Sequence, residues 1–221
     1  MGEKRSIAAL LIVVLATAVQ SGADDASGLA DNRDIVKFLN TSGAIYSYSI
    51  TTTQSTVLCK VDFAIKEEGT EVTFKRYTPD YSSRAKSLAV GAPKAAKFSL
   101  GTTTVKGTFY CTQVDCGGKF DAMDIAYRSG VEYKEAMEFQ DTEGECGIFA
   151  VTAPMHLKAA VTLDLRVRSS GENKVKGEEC LRQFKESDRS KKYENIAESL
   201  PEESVCKEKC EMHQCMGPHS L

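Results

Sequence analysis

The sequence contains none of the short motifs that mark the common enzyme classes. It has no Gly-x-Ser-x-Gly, no phosphate-binding loop, no dinucleotide-binding glycine pattern and no His-Glu-x-x-His, so the nucleophile, phosphate cradle and metal ligands of those enzymes are missing. Histidine, the usual general base, is present only as His156, His213 and His219. We therefore predict that the protein is not an enzyme and needs no cofactor.

The chain also lacks an excess of basic residues and a long apolar segment. Its 28 Lys and Arg against 31 Asp and Glu give a net charge of −3, without the basic patch or stripe of a nucleic-acid binder. The apolar run at residues 7–19 is too short to cross a bilayer, which takes about 20 residues, and no later stretch approaches that length. We expect neither nucleic acid nor a membrane as a partner.

The beginning of the chain has the composition of a secretory signal peptide. Lys4 and Arg5 precede the apolar run, and the small residues Ser21, Gly22 and Ala23 follow it, which is the order of charged, apolar and cleavage regions in such signals. We predict a signal at residues 1–23, followed by one domain at 24–221 that is secreted to the extracellular space and acts as a monomer.

All eight cysteines follow the predicted signal. An even number in an exported chain indicates disulfides, although eight cysteines allow about 105 pairings and the sequence alone selects none. Cys206, Cys210, His213 and Cys215 could instead ligate zinc, but the oxidising compartment favours disulfides. The sequon at residues 40–42 predicts a glycan on Asn40.

Two helical patterns flank a long region of strands. Residues 31–39 predict a short helix capped by Asp31 or Asn32, and a second helix is predicted from residue 176, with a further candidate at 202–214. Between them, period-two alternation predicts half-buried strands. These run from residue 45, through a hairpin at 57–74 that turns at 67–70, and over 103–111, 120–127, 133–140, 146–152 and 159–167, with an interruption at 78–97.

This order predicts an all-β fold, an eight-stranded antiparallel up-and-down barrel with a short N-terminal helix and a C-terminal helix. A barrel of about eight strands holds one small ligand in its lumen. Aromatic side chains that could line it, unless they are ordinary core residues, are Tyr46, Tyr48, Phe74, Phe109 and Phe139.

Charged residues within the strands are the second group of lumen candidates. Asp62, Glu138 and Asp164 could point inward or lie on a solvated outer face, and a charge inside the barrel would need a partner. Residues 161–168 alternate apolar with polar side chains, and either face could be the inside if a helix covers the outer wall. The sequence leaves that choice open.

The order of several residues along the chain resembles that of a known family. The matching features are the helix at 34–40, Ile45, Tyr46, Cys59, CGIF at 146–149, LDLR at 163–166, Cys180, Leu181, Phe184, Tyr193 and Cys206. In these the chain resembles the tick salivary lipocalins, which include histamine-, serotonin- and leukotriene-binding proteins. The chain has no tryptophan, so the Gly-x-Trp signature of vertebrate lipocalins is absent.

The resemblance implies disulfide pairs and a ligand site. The implied pairs are Cys146 with Cys180 and Cys59 with Cys206 or Cys210, which leaves Cys111 and Cys116 to bond the remaining C-terminal cysteines, such as Cys215, or each other. In the amine-binding signature of the family two acids meet an ammonium group. Here Gly147 replaces the first acid, Asp164 shortens the second, and Arg166 stands in the aromatic position. An acidic lipid such as a leukotriene would suit Arg166 or Arg168 at the barrel mouth.

Two functional hypotheses follow from the sequence and the resemblance. In the first, a secreted lipocalin sequesters a small host mediator, either a biogenic amine such as histamine or serotonin or an eicosanoid lipid, and so suppresses host inflammation and haemostasis. The predicted ligand-binding residues are Tyr46, Tyr48, Phe74, Phe109, Glu138, Asp164 and Arg166. The alternative is a protein-interaction module that inhibits a host complement or coagulation protein through outer loops, including 78–97 and the cysteine-rich tail.

Overall fold

The structure, a computed structural model, describes part of the chain within Asp31–Leu221. The described residues are 32–51, 59–78, 101–114, 117–128, 130, 132–152, 161–168 and 173–200. The predicted signal peptide at 1–23, all but the first residue of the 78–97 segment and the helix candidate at 202–214 lie outside them.

Eight antiparallel strands follow one another around a closed barrel, in which β8 pairs with β1. They are β1 Ile45–Ser49, β2 Cys59–Glu68, β3 Glu71–Thr78, β4 Gly101–Tyr110, β5 Ala122–Tyr127, β6 Glu132–Gln140, β7 Cys146–Thr152 and β8 Val161–Arg168. Helix α1, Ile35–Leu39, precedes the strands, and helix α2, Asn173–Glu186, with a 3-10 turn at Asp188–Lys192, follows them. The predicted eight-stranded up-and-down barrel with its two helices is confirmed.

Local sequence signals explain the ends of several elements. The β2–β3 hairpin turns at Gly69, whose φ of 65° favours glycine, as the pattern at 67–70 predicted. Helix α1 begins later than predicted. Its cap is Asp34, whose Oδ1 accepts a hydrogen bond from the Lys37 amide at 3.1 Å, so Asn32 is not the cap. An Asp cap stabilises the first turn because it satisfies an otherwise unbonded amide.

Ion pairs across the barrel identify its inner face. Arg76 on β3 donates from Nη1 to Oε1 of Glu135 on β6 at 2.8 Å. These strands are not neighbours in the sheet, so the contact crosses the lumen. Side chains alternate between the two faces of a strand, and Phe74 therefore also points inward.

The outer wall of β7, β8 and β1 is covered by α2. Leu181 and Phe184 of the helix belong to the same apolar cluster as Tyr46, Ile148 and Leu165 on these strands. Because this wall is buried on both sides, its strands have almost continuously buried residues. Because α2 covers it, the outer face of this wall is apolar, whereas a half-exposed strand would have a polar outer face.

Helix α1 packs into one end of the barrel. Its Ile35, Phe38 and Leu39 belong to the inner apolar cluster, and the Phe38 ring centroid lies 5.4 Å from that of Phe149 on β7. The opposite end, where β1, β3, β5 and β7 finish and the other four strands begin, is called the distal end below. An apolar layer therefore lines the α1 end of the lumen.

Candidate functional site

A layer of charged side chains lies inside the barrel on the distal side of this apolar layer. It contains three acids and three bases, so its formal charge is zero. The six residues are Lys60, Asp62, Arg76, Glu135, Asp164 and Arg166. Charges in a barrel interior are costly unless they are paired and hydrogen-bonded, so the arrangement of partners determines what the layer can bind.

Arg76 uses all three of its guanidinium nitrogens within the layer. Nε and Nη2 donate to the two carboxylate oxygens of Asp62 at 2.7 and 2.8 Å. Nη1 donates to Glu135 at 2.8 Å and to the Tyr127 hydroxyl at 3.0 Å. Burial of the Arg76 guanidinium alone would lower its pKa, but the charges of Asp62 and Glu135 outweigh burial and raise the pKa well above the ordinary value. Four of the five N–H groups of Arg76 are therefore engaged within the layer, which leaves one N–H on Nη2.

Glu135 joins the two arginines of the layer. Its Oε1 accepts from Arg76, and its Oε2 lies 2.5 Å from Nη2 of Arg166. Burial alone would raise the pKa of Glu135, but the charges of Arg166 and Arg76 outweigh burial and hold the pKa well below the ordinary value. Glu135 is therefore ionised throughout the physiological range, with both oxygens facing cations.

Arg166 is fully buried, at 0 % exposure, and retains unused donors. Its Nε and Nη1 have no hydrogen-bond partner among the described residues, and its contact with Glu135 is an ion pair without hydrogen-bond geometry. The guanidinium carbon lies 4.1 Å from the centroid of the Phe149 ring, a cation–π contact that fixes the plane of the group. Arg166 is thus a positioned cation with hydrogen-bonding capacity to spare.

The inner face of β1 adds hydroxyl groups beside Arg166. Ser47 pairs in register with Lys60 on one side and with Arg166 on the other. The hydroxyls of Ser47 and Ser49 are buried and have no hydrogen-bond partner within the described ranges. Lys60 Nζ lies 2.5 Å from Oδ2 of Asp164. The seam between β1 and β8 therefore carries most of the unused polar groups of the lumen.

Four of the predicted ligand-binding residues lie in the lumen. Phe74 and Phe109 belong to the inner apolar cluster, and Asp164 and Arg166 belong to the charged layer. Asp62, the other inward carboxylate that the sequence suggested, lies there too, bonded to Arg76. Ligand binding by these residues remains a prediction.

Tyr46 and Tyr48 do not line the lumen. Both belong to the outer apolar cluster beneath α2, against which Phe139 also packs, whereas Ile45 and Ser47 of the same strand as the tyrosines face inward. The prediction placed the aromatic side chains inside because tyrosine suits a ligand pocket. The covering helix makes the outer face of β1 equally apolar, and that face takes the tyrosines.

Glu138 also lies outside the lumen, at the irregularity in β6 between Met137 and Phe139. Its Oε2 is 2.6 Å from Nζ of Lys192 in the 3-10 turn. Burial, together with a hydrogen bond to Glu138, raises the pKa of the Tyr193 hydroxyl. The extra residue in the strand turns Glu138 toward the outer wall, where it fastens the segment after α2.

One disulfide, Cys146–Cys180, is described and joins β7 to α2, as the resemblance implied. Cys59 and Cys111 are also disulfide-bonded. Strands β2 and β4 run in the same direction, with Cys59 at the start of β2 and Cys111 just after the end of β4, so these two cysteines cannot bond each other. Their partners lie outside the described residues, as do Cys116, Cys206, Cys210 and Cys215. Asn40 ends α1 with an exposed side chain, and its glycosylation stays a prediction.

Sequence reasoning missed Lys60, Arg76, Glu135 and Ser47. Arg76 follows Val72 and Phe74 at a spacing of two, which would place it on their inner face once that face is known. Glu135 stands in the same relation to Met137. The signal was therefore a charged residue in phase with inward apolar ones, but the choice of face had to come first.

The described part of the chain yields two negative findings. No helix in it is long and apolar enough to cross a membrane. No group of three or more His, Cys, Asp or Glu side chains there could hold a metal ion. The possible zinc ligands at 206–215 and both surface segments of the protein-interaction hypothesis lie almost wholly outside the ranges that the structure describes.

Comparison with known proteins gives likeness of structure only. No protein family and no curated protein matches the chain in sequence. One similar solved structure is the Siderocalin Ex-FABP, said to function through dual ligand specificities, with 13% identity, a TM-score of 0.41 and coverage of 75% of this chain and 92% of that one. Another is lobster apocrustacyanin A1, with 12% identity, a TM-score of 0.38 and coverage of 78% and 84%. At these values neither likeness indicates a ligand for this chain.

Proposed function

We propose that the protein is a small-molecule carrier whose lumen binds an acidic amphiphile, with the acidic group at Arg166 and the apolar part against the inner apolar cluster. The observation that carries this proposal is the pair of unused donors, Nε and Nη1, on a fully buried arginine. A buried donor without an acceptor costs about 1–3 kcal/mol, and more when charged. A ligand oxygen would remove that cost.

The charge arrangement favours an acid over an amine. Each lumen carboxylate already faces a cation: Asp62 and Glu135 face Arg76, and Asp164 faces Lys60 at 2.5 Å. An ammonium ligand would have to displace one of these protein cations and would then lie near the remaining ones. Oε2 of Glu135 and Oδ2 of Asp164 make no hydrogen bond within the described residues either, but each lies 2.5 Å from a protein cation, so no carboxylate of the layer lacks a counter-charge.

The position of Gly147 also favours an acidic ligand over an amine. In register it lies opposite Arg166, at the place where the amine-binding signature has an acid. A Cβ at this position would lie 3.0 Å from the carbonyl oxygen of Phe139 and 3.3 Å from the Phe149 ring. The first acid of that signature would fit here only if the Phe139 carbonyl and the Phe149 ring each moved by a few tenths of an ångström.

The wider role that we propose is the one suggested by the predicted signal peptide and the resemblance to tick salivary lipocalins. A secreted carrier would remove a host lipid mediator by stoichiometric capture, an eicosanoid in preference to histamine or serotonin, and thereby reduce inflammation and haemostasis.

Native mass spectrometry and calorimetry of the oxidised protein against fatty acids, leukotrienes, histamine and serotonin test this role. We expect one-to-one complexes with the acids only. Amine binding would contradict the charge assignment, and silence across the panel would favour the protein-interaction hypothesis.

Arg166→Lys is expected to weaken the binding of the fluorescent fatty acid cis-parinaric acid at least tenfold. Lysine keeps a positive charge near Glu135 but lacks Nε and Nη1, and a hydrogen bond to a charged group contributes about 1.5–3 kcal/mol, where 1.4 kcal/mol is about tenfold. The measurement is fluorescence titration.

Two further variants control this test. Arg182→Lys, on the exposed face of α2, makes the same chemical change away from the lumen and should leave affinity unchanged. Ser47→Ala removes a hydroxyl beside Arg166 without touching an ion pair, and should weaken binding by a smaller factor with little loss of stability. Unchanged affinity in a folded Arg166→Lys variant would refute the assignment.

A further inference from the structure

The salt bridge between Lys60 and Asp164 spans an entire strand. Lys60 is the second residue of β2 and Asp164 lies on β8, and β1 runs between these two strands. Ser47 on β1 pairs in register with Lys60, and Ser49 pairs with Asp164. To bring Lys60 Nζ within 2.5 Å of Asp164 Oδ2, the lysine side chain must therefore cross the inner face of β1.

This salt bridge covers the unused polar groups of the seam. The hydroxyls of Ser47 and Ser49 are buried, and Arg166 pairs with Ser47 from the other side. Lys60 is the most exposed of the six charged side chains of the layer, at 14 %, while the others are exposed by 6 % or less. Lys60 is therefore the member of the layer most accessible to solvent, and the buried polar groups of Ser47, Ser49 and Arg166 beside it are called the Ser47–Ser49–Arg166 pocket below.

The salt bridge is also the part of the layer best suited to open. Arg76 holds Asp62 by two parallel hydrogen bonds, whereas Lys60 meets Asp164 at one point on a flexible four-carbon stem. When Lys60 leaves, Asp164 still has Nη2 of Arg166 at 3.7 Å, and the lysine ammonium can move toward water. Opening would thus leave Asp164 with one nearby cation and give the lysine ammonium access to water.

We infer that the Lys60–Asp164 salt bridge is a gate over the Ser47–Ser49–Arg166 pocket, which must open before a ligand reaches Arg166. This inference rests on the proposed function in that it concerns access to the same pocket. It assigns Lys60 a role in the rate of binding, distinct from the role of Arg166 in affinity.

Stopped-flow binding of cis-parinaric acid tests the gate. Lys60→Met removes the ammonium group and keeps an unbranched apolar stem one atom shorter, and we expect it to raise both the association and the dissociation rate constants about fivefold, the factor given by about 1 kcal/mol at 1.36 kcal/mol per factor of ten. The matched control is Lys134→Met, which breaks the exposed Lys134–Asp124 pair on the outer wall and should change neither rate. Unchanged rates in Lys60→Met would overturn the gate.

A ligand-free measurement separates failure of the gate from failure of the proposed function. The described cysteines include no free thiol, so Ser47→Cys introduces a target in the pocket for a charged methanethiosulfonate reagent. Its modification should be about fivefold faster with Lys60→Met than with Lys134→Met. Faster labelling without fatty-acid binding would support the gate and contradict the proposal that the ligand is an acid. Equal labelling rates would overturn the gate whether or not the fatty acid binds.

Discussion

Glu135→Gln is expected to lower the free energy of unfolding by about 3–5 kcal/mol, the usual cost of removing one partner from a buried ion pair. Glu135 is fully buried and faces Arg76 through Oε1 and Arg166 through Oε2. Glutamine keeps the shape and one acceptor but removes the charge. Arg76 retains Asp62, whereas Arg166 retains only Asp164 at 3.7 Å, so one arginine loses its nearest counter-charge.

Urea unfolding followed by circular dichroism at neutral pH measures this loss. Glu132→Gln is the matched control because Glu132 begins the same strand with an exposed side chain, and its replacement should change stability by no more than about 0.5 kcal/mol. A loss below about 1 kcal/mol in Glu135→Gln would mean that the layer tolerates an unpaired arginine, contrary to the general cost of a buried charge.

The pKa of Glu135 gives the same prediction a pH dependence. Its folded pKa lies well below the ordinary value of about 4.3 expected in the unfolded chain. A group whose pKa is lowered by folding contributes its full stabilisation above the unfolded pKa and loses it as the pH falls toward the folded pKa. The stability difference between the wild type and Glu135→Gln should therefore be constant from about pH 8 to pH 5 and shrink below that. A difference that stays constant down to about pH 2.5 would contradict this assignment.

The strands were predictable because their side chains carry a local signal. The strand predicted at 146–152 is observed as Cys146–Thr152, and the one predicted at 133–140 begins one residue earlier, at Glu132. Alternation of β-branched and aromatic residues with polar ones reflects a half-buried surface. Such a pattern needs no knowledge of which strands are neighbours, so it can be recognised from the sequence alone.

The inward face was not predictable in the same way. Leu163 and Leu165 on β8 lie beneath α2, and Asp164 and Arg166 face the lumen, so the polar side of that strand is the inner one. On β1 both faces are buried, and the sequence pattern cannot distinguish them. A change of one residue in register exchanges the faces, and only the position of α2 decides between them.

The partners in the charged layer depend on contacts distant in sequence. Arg76 and Glu135 are separated by 59 residues and meet only when the barrel closes. Each could have been a solvated residue on an outer face, as its neighbours Lys75 and Lys134 are. The sequence could therefore suggest charges in the lumen, as it did with Asp62 and Asp164, but not how they pair.

The charged layer and the covering helix are linked through β8. The side of this strand that packs on α2 is apolar, and the side that faces the lumen carries Asp164 and Arg166. A shift of the wall that loosens α2 would therefore also displace the arginine to which we assign the ligand. Stability of the helix contact is thus a condition for positioning Arg166, and the disulfide between β7 and α2 is the covalent part of that contact.

Replacing Cys146 and Cys180 together by alanine is expected to lower the free energy of unfolding by about 4 kcal/mol. The bridge closes a loop with a sequence separation of 34 residues, for which chain entropy gives about 3–4 kcal/mol, and both cysteines are buried in the outer apolar cluster, where the lost sulfur atoms add a smaller cavity cost. Substitution is preferable to a reductant, since a reductant would also reach the disulfides of Cys59 and Cys111.

Val175→Ala, on the exposed part of α2, is the control and should cost at most about 0.5 kcal/mol. Urea unfolding measures both variants, and a loss below about 1 kcal/mol in the double variant would show that Leu181 and Phe184 hold α2 to the wall without the bridge.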